Sequence, residues 1–92
     1  MVTICLDYDG SYNRFPELFE VIIDKCFEKG YNVIMATMRY PHEADEVLQK
    51  LEKRITVYYT CRRAKGKSLA EFHGVYPDLW IDDKPHFIFQ DG

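Results

Sequence analysis

The sequence predicts an α/β fold in which a parallel β-sheet is covered by helices on both faces. Three observations carry that expectation. Short, unbroken apolar runs (VTICL, YNVIMAT, ITVYY and LWI) read as strands buried on both faces. Between them, apolar residues recur at helical spacing. Strand-like and helix-like segments alternate along the whole chain, the order from which parallel sheets with crossover helices are built.

VTICL (2–6) opens as the first strand. Phe15, Leu18, Phe19, Ile22 and Cys26 mark one face of a helix, with Pro16 suited to its first turn and Gly30 to its stop. YNVIMAT (31–37) is the second strand. The turn-like Tyr40-Pro41-His42 then opens a second helix, whose apolar face is Ala44, Val47, Leu48 and Leu51. ITVYY (55–59) is the third strand, with Tyr58 in the interior of the sheet. Ser68-Leu69-Ala70-Glu71 has the form of a capping box, which starts the third helix at Ser68, and Gly74 ends it. LWI (79–81) is the fourth strand, with Trp80 inside, and HFIF (86–89) a fifth at an edge. The expectation is one Rossmann-like three-layer domain over residues 1–92, with strand order 3-2-1-4-5.

Composition excludes several classes. The 92 residues suffice for one core, and 47% apolar with 15% aromatic residues is globular rather than disordered. A net charge of -3 gives no global attraction to nucleic acid or a membrane surface. No apolar run approaches a membrane span, and the start lacks a basic signal-peptide region, so the expected location is cytoplasmic. Cys5, Cys26 and Cys61 are odd in number and lack CxxC spacing, which reads as reduced thiols rather than disulfides or a zinc site.

In such sheets ligands bind outside the carboxyl ends of the strands. There the sequence concentrates chemistry. The first strand runs into Asp7 and Asp9, the second into Thr37, the fourth into Asp82 and Asp83, and the third into CRRAKGK with Arg62, Arg63, Lys65 and Lys67. Two carboxylates about 4 Å apart repel by roughly 4 kcal/mol at an effective dielectric of about 20. A hard divalent cation such as Mg²⁺ offsets that repulsion, and the usual companion of such a site is a phosphate.

The arrangement resembles the haloacid dehalogenase-like (HAD) hydrolases. LDYDG is similar to the family's first motif, Thr37 to its second, a lysine of AKGK to its third, and Asp82-Asp83 to its acidic fourth. The likeness runs from Val2 to Asp83 with all four motifs in order. It implies that Asp7 is a nucleophile forming an aspartyl-phosphate, and that Asp9 is the acid and then the base. By the same likeness Thr37 binds the transferring phosphoryl group and a lysine balances its charge. Mg²⁺ is then held by the Asp7 carboxylate, the Asp9 carbonyl and Asp82, with Asp83 either a ligand or an acceptor for the metal's waters. Lys65 or Lys67 is the motif lysine; spacing to the fourth motif favours Lys65. Ser11 stands where the family often has Thr. Neither inter-motif gap has room for a cap domain, so the site is expected to be open and to suit a nucleotide, a nucleic-acid end or another large phosphorylated substrate. Arg62, Arg63 and Lys67, in excess of the chemistry, are expected to flank the approach to Thr37 and hold further phosphates, and Arg39 to touch substrate.

Bland readings stand beside these. A basic run is usually a solvated loop, and Thr37 alone is an ordinary strand residue. Cys61 beside cations is a candidate reactive thiol, but no cysteine is followed six residues later by Arg, which excludes a cysteine phosphatase. His42, His73 and His86 have no ligand spacing. A receiver-type signalling module is disfavoured because the third strand ends in Tyr59-Thr60-Cys61, with no acceptor Asp. A phosphate-binding or adaptor protein that keeps the fold without turnover is the remaining alternative.

Overall fold

A computed structural model describes all 92 residues, Met1–Gly92. Four strands, β1 (Thr3–Leu6), β2 (Asn32–Thr37), β3 (Thr56–Tyr59) and β4 (Leu79–Ile81), form one sheet in the order β3-β2-β1-β4. Every neighbouring pair is parallel, with Leu6 opposite both Met35 and Ile81, and Thr37 opposite Tyr59. Three helices connect them: α1 (Pro16–Lys29), α2 (Glu46–Leu51) and α3 (Lys65–His73). No helix is long and apolar enough to cross a membrane.

The two-residue period of the strands divides the core into layers. Ile4, Leu6, Val33 and Met35 face one way and pack with Phe19, Ile23 and Cys26 of α1 and Leu48 and Leu51 of α2. Cys5, Ile34 and Ala36 face the other way onto Leu69 of α3, with Tyr58 and Trp80 half-buried beside them. Strands β1 and β2 are therefore covered on both faces, which is why their sequences are continuous apolar runs. Cys5 and Cys26 are buried core thiols.

Two readings are corrected. HFIF forms no fifth strand; Pro85–Ile88 is a 3₁₀ turn with Pro85 at its start, and Ile88 is buried against the first turn of α3 at Gly66. The sheet order ends at β4. Nor does Ser68 begin the third helix. Helix α3 starts three residues earlier, at Lys65 after Ala64, and Ser68 is buried inside it. No side chain caps the first turn of α3; the Asp91 carboxylate accepts the N–H of Ala64, the residue just before it, at 2.7 Å. Lys65 thus lies on a helix rather than in a loop.

Candidate active site

The carboxyl ends of β1 and β4 lie side by side, joined where the Asp7 N–H donates to the Ile81 carbonyl at 2.9 Å. Beyond Asp7 the chain makes one wide π-type turn over Tyr8–Tyr12, in which the Tyr12 and Asn13 amides reach back to the carbonyls of Asp7 and Tyr8. The turn is kinked rather than helical throughout, with Asp9 extended and Gly10 at positive φ. Gly10 makes this one possible. Its φ is +80°, and a Cβ there would lie 2.3 Å from Asp83 Oδ2. The glycine in LDYDG is thus needed both for backbone conformation and for the approach of Asp83.

Asp7 is buried, and its two oxygens are divided between partners. Oδ1 accepts from Lys65 Nζ at 2.6 Å, and Oδ2 accepts from Ser11 Oγ at 3.0 Å. Lys65 Nζ also donates to Asp82 Oδ2 at 2.7 Å, while the Asp82 Oδ1 atom accepts the Lys84 N–H at 2.9 Å. Ser11 in turn accepts the Asp83 N–H at 3.3 Å. Asp7, Asp82 and Asp83 each present one carboxylate oxygen, and the three lie within 4.8 Å of one another. That is a hard, all-oxygen donor set with more negative than positive charge, and it fits a divalent cation such as Mg²⁺.

The electrostatics follow from burial. Desolvation pushes the Asp7 carboxyl up to about 7, against the downward pull of Lys65; Asp83 and Asp82 add to the rise. Burial alone would lower the Lys65 ammonium, but Asp7 and Asp82 outweigh it and hold it above its ordinary range. Without a cation, the centre holds a charged lysine and an Asp7 carboxyl that keeps its proton well beyond the usual carboxylate range.

The remaining predicted residues separate into two groups. Thr37 is buried at the end of β2, and its hydroxyl accepts the Arg39 N–H at 3.3 Å. The Asp9 carboxylate stands apart from the acidic trio, gripped by Arg39 through Nε (3.0 Å) and Nη2 (2.8 Å). Arg39 is thus engaged with the protein's own carboxylate. Arg62 lines the same cleft as Asp9 and Arg39 and pairs with Glu43 at 2.9 Å. Arg63 and Lys67 do not flank the approach to Thr37, which corrects that expectation. They line a different hollow, with Ser68, Phe72 and Asp91, where Arg63 lies over the Phe72 ring and Lys67 faces Glu71. Of the two candidate lysines, only Lys65 reaches the acids. His42 stacks on Tyr40, and His73 packs tilted against Tyr58, both as packing partners.

Three residues of the site have no prior assignment. Ser11 orients Asp7, and its place four residues on, one wide turn away, was the available signal. Met38 and Phe87 form a sill shared by the acidic centre and the arginine-lined cleft. No family model, curated protein or solved structure matches this chain, so the functional reading rests on its own residues.

Proposed function

We propose that the protein is a Mg²⁺-dependent phosphomonoester hydrolase of HAD type that works through an aspartyl-phosphate on Asp7. A nucleotide, a nucleic-acid end or another large phosphorylated molecule suits its open site. The observation that carries this reading is the meeting of Asp7, Asp82 and Asp83 with the buried Lys65 at the carboxyl edge of a parallel sheet. A chain shaped only for folding gains nothing from three acids and a lysine gathered there, since buried charge costs more than apolar packing.

In this mechanism an Asp7 carboxylate oxygen bonds to phosphorus as the bond from phosphorus to the leaving oxygen breaks. Lys65 fixes one Asp7 oxygen and Ser11 the other, so the nucleophile is held in one orientation. The Thr37 hydroxyl, whose lone pair takes the Arg39 N–H, keeps its proton for a phosphoryl oxygen. Asp9 gives a proton to the leaving oxygen and then takes one from the water that cleaves the acyl phosphate. Asp7, the Asp9 carbonyl and Asp82, with Asp83 beside them, would hold Mg²⁺, which would supply neutralisation of charge on the carboxylates and the phosphoryl oxygens.

The test is release of phosphate from an aryl phosphate with and without Mg²⁺, in the wild type and in Asp7→Asn, Asp82→Asn and Asp9→Asn. Asp7→Asn abolishes release. Asp82→Asn raises the Mg²⁺ needed for half-maximal rate. Asp9→Asn lowers the rate by about 100- to 10,000-fold with little change in that requirement. Undiminished turnover in Asp7→Asn ends the nucleophile assignment. Phosphate binding without release in the wild type favours the adaptor alternative.

A further inference from the structure

The cleft beside Asp9 holds two arginine–carboxylate pairs next to each other, Arg39 with Asp9 and Arg62 with Glu43. It measures about 620 Å³, against about 140 Å³ over the acidic centre, and Asp9, Met38 and Phe87 border both, so Asp9 stands between the two. Each arginine is anchored independently of its carboxylate. Arg39 donates through Nη1 to the Glu43 carbonyl at 2.8 Å, lies 3.6 Å from Asp45 and sits 5.2 Å above the Tyr8 ring. Arg62 donates to the Met38 carbonyl at 2.5 Å and stacks on Tyr40 at 5.4 Å. Of the two carboxylates Asp9 is the looser, since Glu43 also accepts the Tyr40 N–H at 2.8 Å. Asp9 is half-exposed, with only a 3.5 Å contact from Asn13 besides Arg39.

The backbone reinforces this presentation of Arg62. Cys61 and Arg62 both have left-handed φ values, +55° and +67°, consecutive strained residues with no glycine. Each costs on the order of 1–3 kcal/mol and persists only where surroundings impose it. Here the Arg62 N–H donates to the Met38 carbonyl, and the Gly92 N–H donates to the Arg62 carbonyl. The strained turn directs the Arg62 side chain towards the cleft, whereas Arg63, one residue on, faces the other hollow.

We propose that this cleft is a second anion site, filled in the free protein by Asp9 as a placeholder. A second phosphate or carboxylate on the substrate displaces Asp9 from Arg39 and shares Arg62 with the anchored Glu43. Exposed ion pairs contribute little net energy, so exchanging a carboxylate for a doubly charged phosphate on the same bidentate guanidinium edge is favourable. The two arginines keep their places through their other anchors while Asp9 is released. On the phosphatase reading, on which this consequence rests, the released Asp9 is free to turn over the Met38–Phe87 sill to the leaving oxygen. The preferred substrate class is then a phosphomonoester whose leaving group carries a further anionic group.

Binding tests the site without catalysis. Inorganic pyrophosphate is titrated calorimetrically into metal-free protein in the presence of a chelator. Arg39→Ala and Arg62→Ala each weaken binding by about tenfold or more. Asp9→Asn and Glu43→Gln tighten it several-fold, because they take a competing charge off a guanidinium without removing it; these two decide the matter if an arginine variant misfolds. No binding by the wild type, wild-type affinity in both arginine variants, or weaker binding in Asp9→Asn overturns the proposal. The activity arm compares an aryl phosphate with a nucleoside 3′,5′-bisphosphate. Arg39→Ala raises turnover of the first and loses the preference for the second. Equal loss on both substrates shows that Arg39 only orients Asp9 and overturns the release step. Absence of Mg²⁺-dependent hydrolysis in the wild type ends the phosphatase reading and leaves the anion site to the binding result.

Discussion

The two halves of the sheet's carboxyl edge treat charge in opposite ways. At the ends of β1 and β4, Lys65, Asp7 and Asp82 are nearly sealed from solvent, with side chains 3–6% exposed. Beyond the ends of β2 and β3, Arg39, Arg62 and Glu43, with Asp9 reaching across from the turn after β1, are 24–51% exposed. Buried charges are fixed, strongly coupled and costly to change; exposed pairs are weakly held and exchangeable. On the proposed phosphatase reading, such a site has use for both, a rigid half for the reacting phosphorus and a yielding half beside it.

The largest effect expected from this contrast is at Lys65. Replacing it with Met removes the counter-charge of Asp7 and Asp82. The loss is up to about 3–5 kcal/mol at alkaline pH, by the general cost of breaking a buried pair. It is smaller at acid pH, where Asp7 takes up a proton instead. Thermal melts check this, and Mg²⁺ restores part of the lost stability by taking over the neutralisation. A melt unchanged from wild type would make the buried half no different from the exposed one.

A second effect comes from the Asp7 carboxyl. Its folded value of about 7 stands above its ordinary value of 3.8, so the folded protein binds a proton that the unfolded chain releases. This contribution is whole below the unfolded value and is lost as pH rises through the folded one. The slope reaches at most about 1.4 kcal/mol per pH unit. Glu20 and Asp45 are held below their ordinary values, so their contributions fade only as pH falls into the acid range. Metal-free protein is therefore most stable near the acid end of the interval between these windows and loses stability towards pH 8. Denaturant unfolding across pH, repeated on Asp7→Asn, checks this; the variant removes the slope.

The smallest stability effect is at Arg62. Its pair with Glu43 is exposed, so Arg62→Ala costs less than about 1 kcal/mol in the same melts. A loss as large as that of Lys65→Met would show the exposed half to be structural and erase the contrast.

Much of this layout is legible in the sequence, for a physical reason. Strands buried on both faces must be continuously apolar, and a parallel sheet must end all its strands on one edge, so Asp7, Thr37 and Asp82 fall together once the strands are placed. Short apolar runs remain ambiguous. HFIF has strand composition, yet Pro85 starts a 3₁₀ turn there and Ile88 covers α3. Ser68 has the pattern of a helix start, but α3 begins at Lys65 with no side-chain cap, and the acceptor for the preceding Ala64 N–H comes from Asp91, distant in sequence. The Arg39–Asp9 pairing spans thirty positions, and nothing local to either residue announces it. Neighbours in the chain likewise do not share a direction. Arg62 and Arg63 part company because one backbone turn is left-handed.

The sheet order also fixes when the acidic centre comes into being. Strand β1 sits between β2 and β4, so Asp7 meets Asp82 only after the segment nearest the far end of the chain has docked on the first strand. If that docking follows the folding barrier, a cation held by those acids would act on lifetime rather than on birth. It would slow unfolding and leave the rate of folding almost untouched.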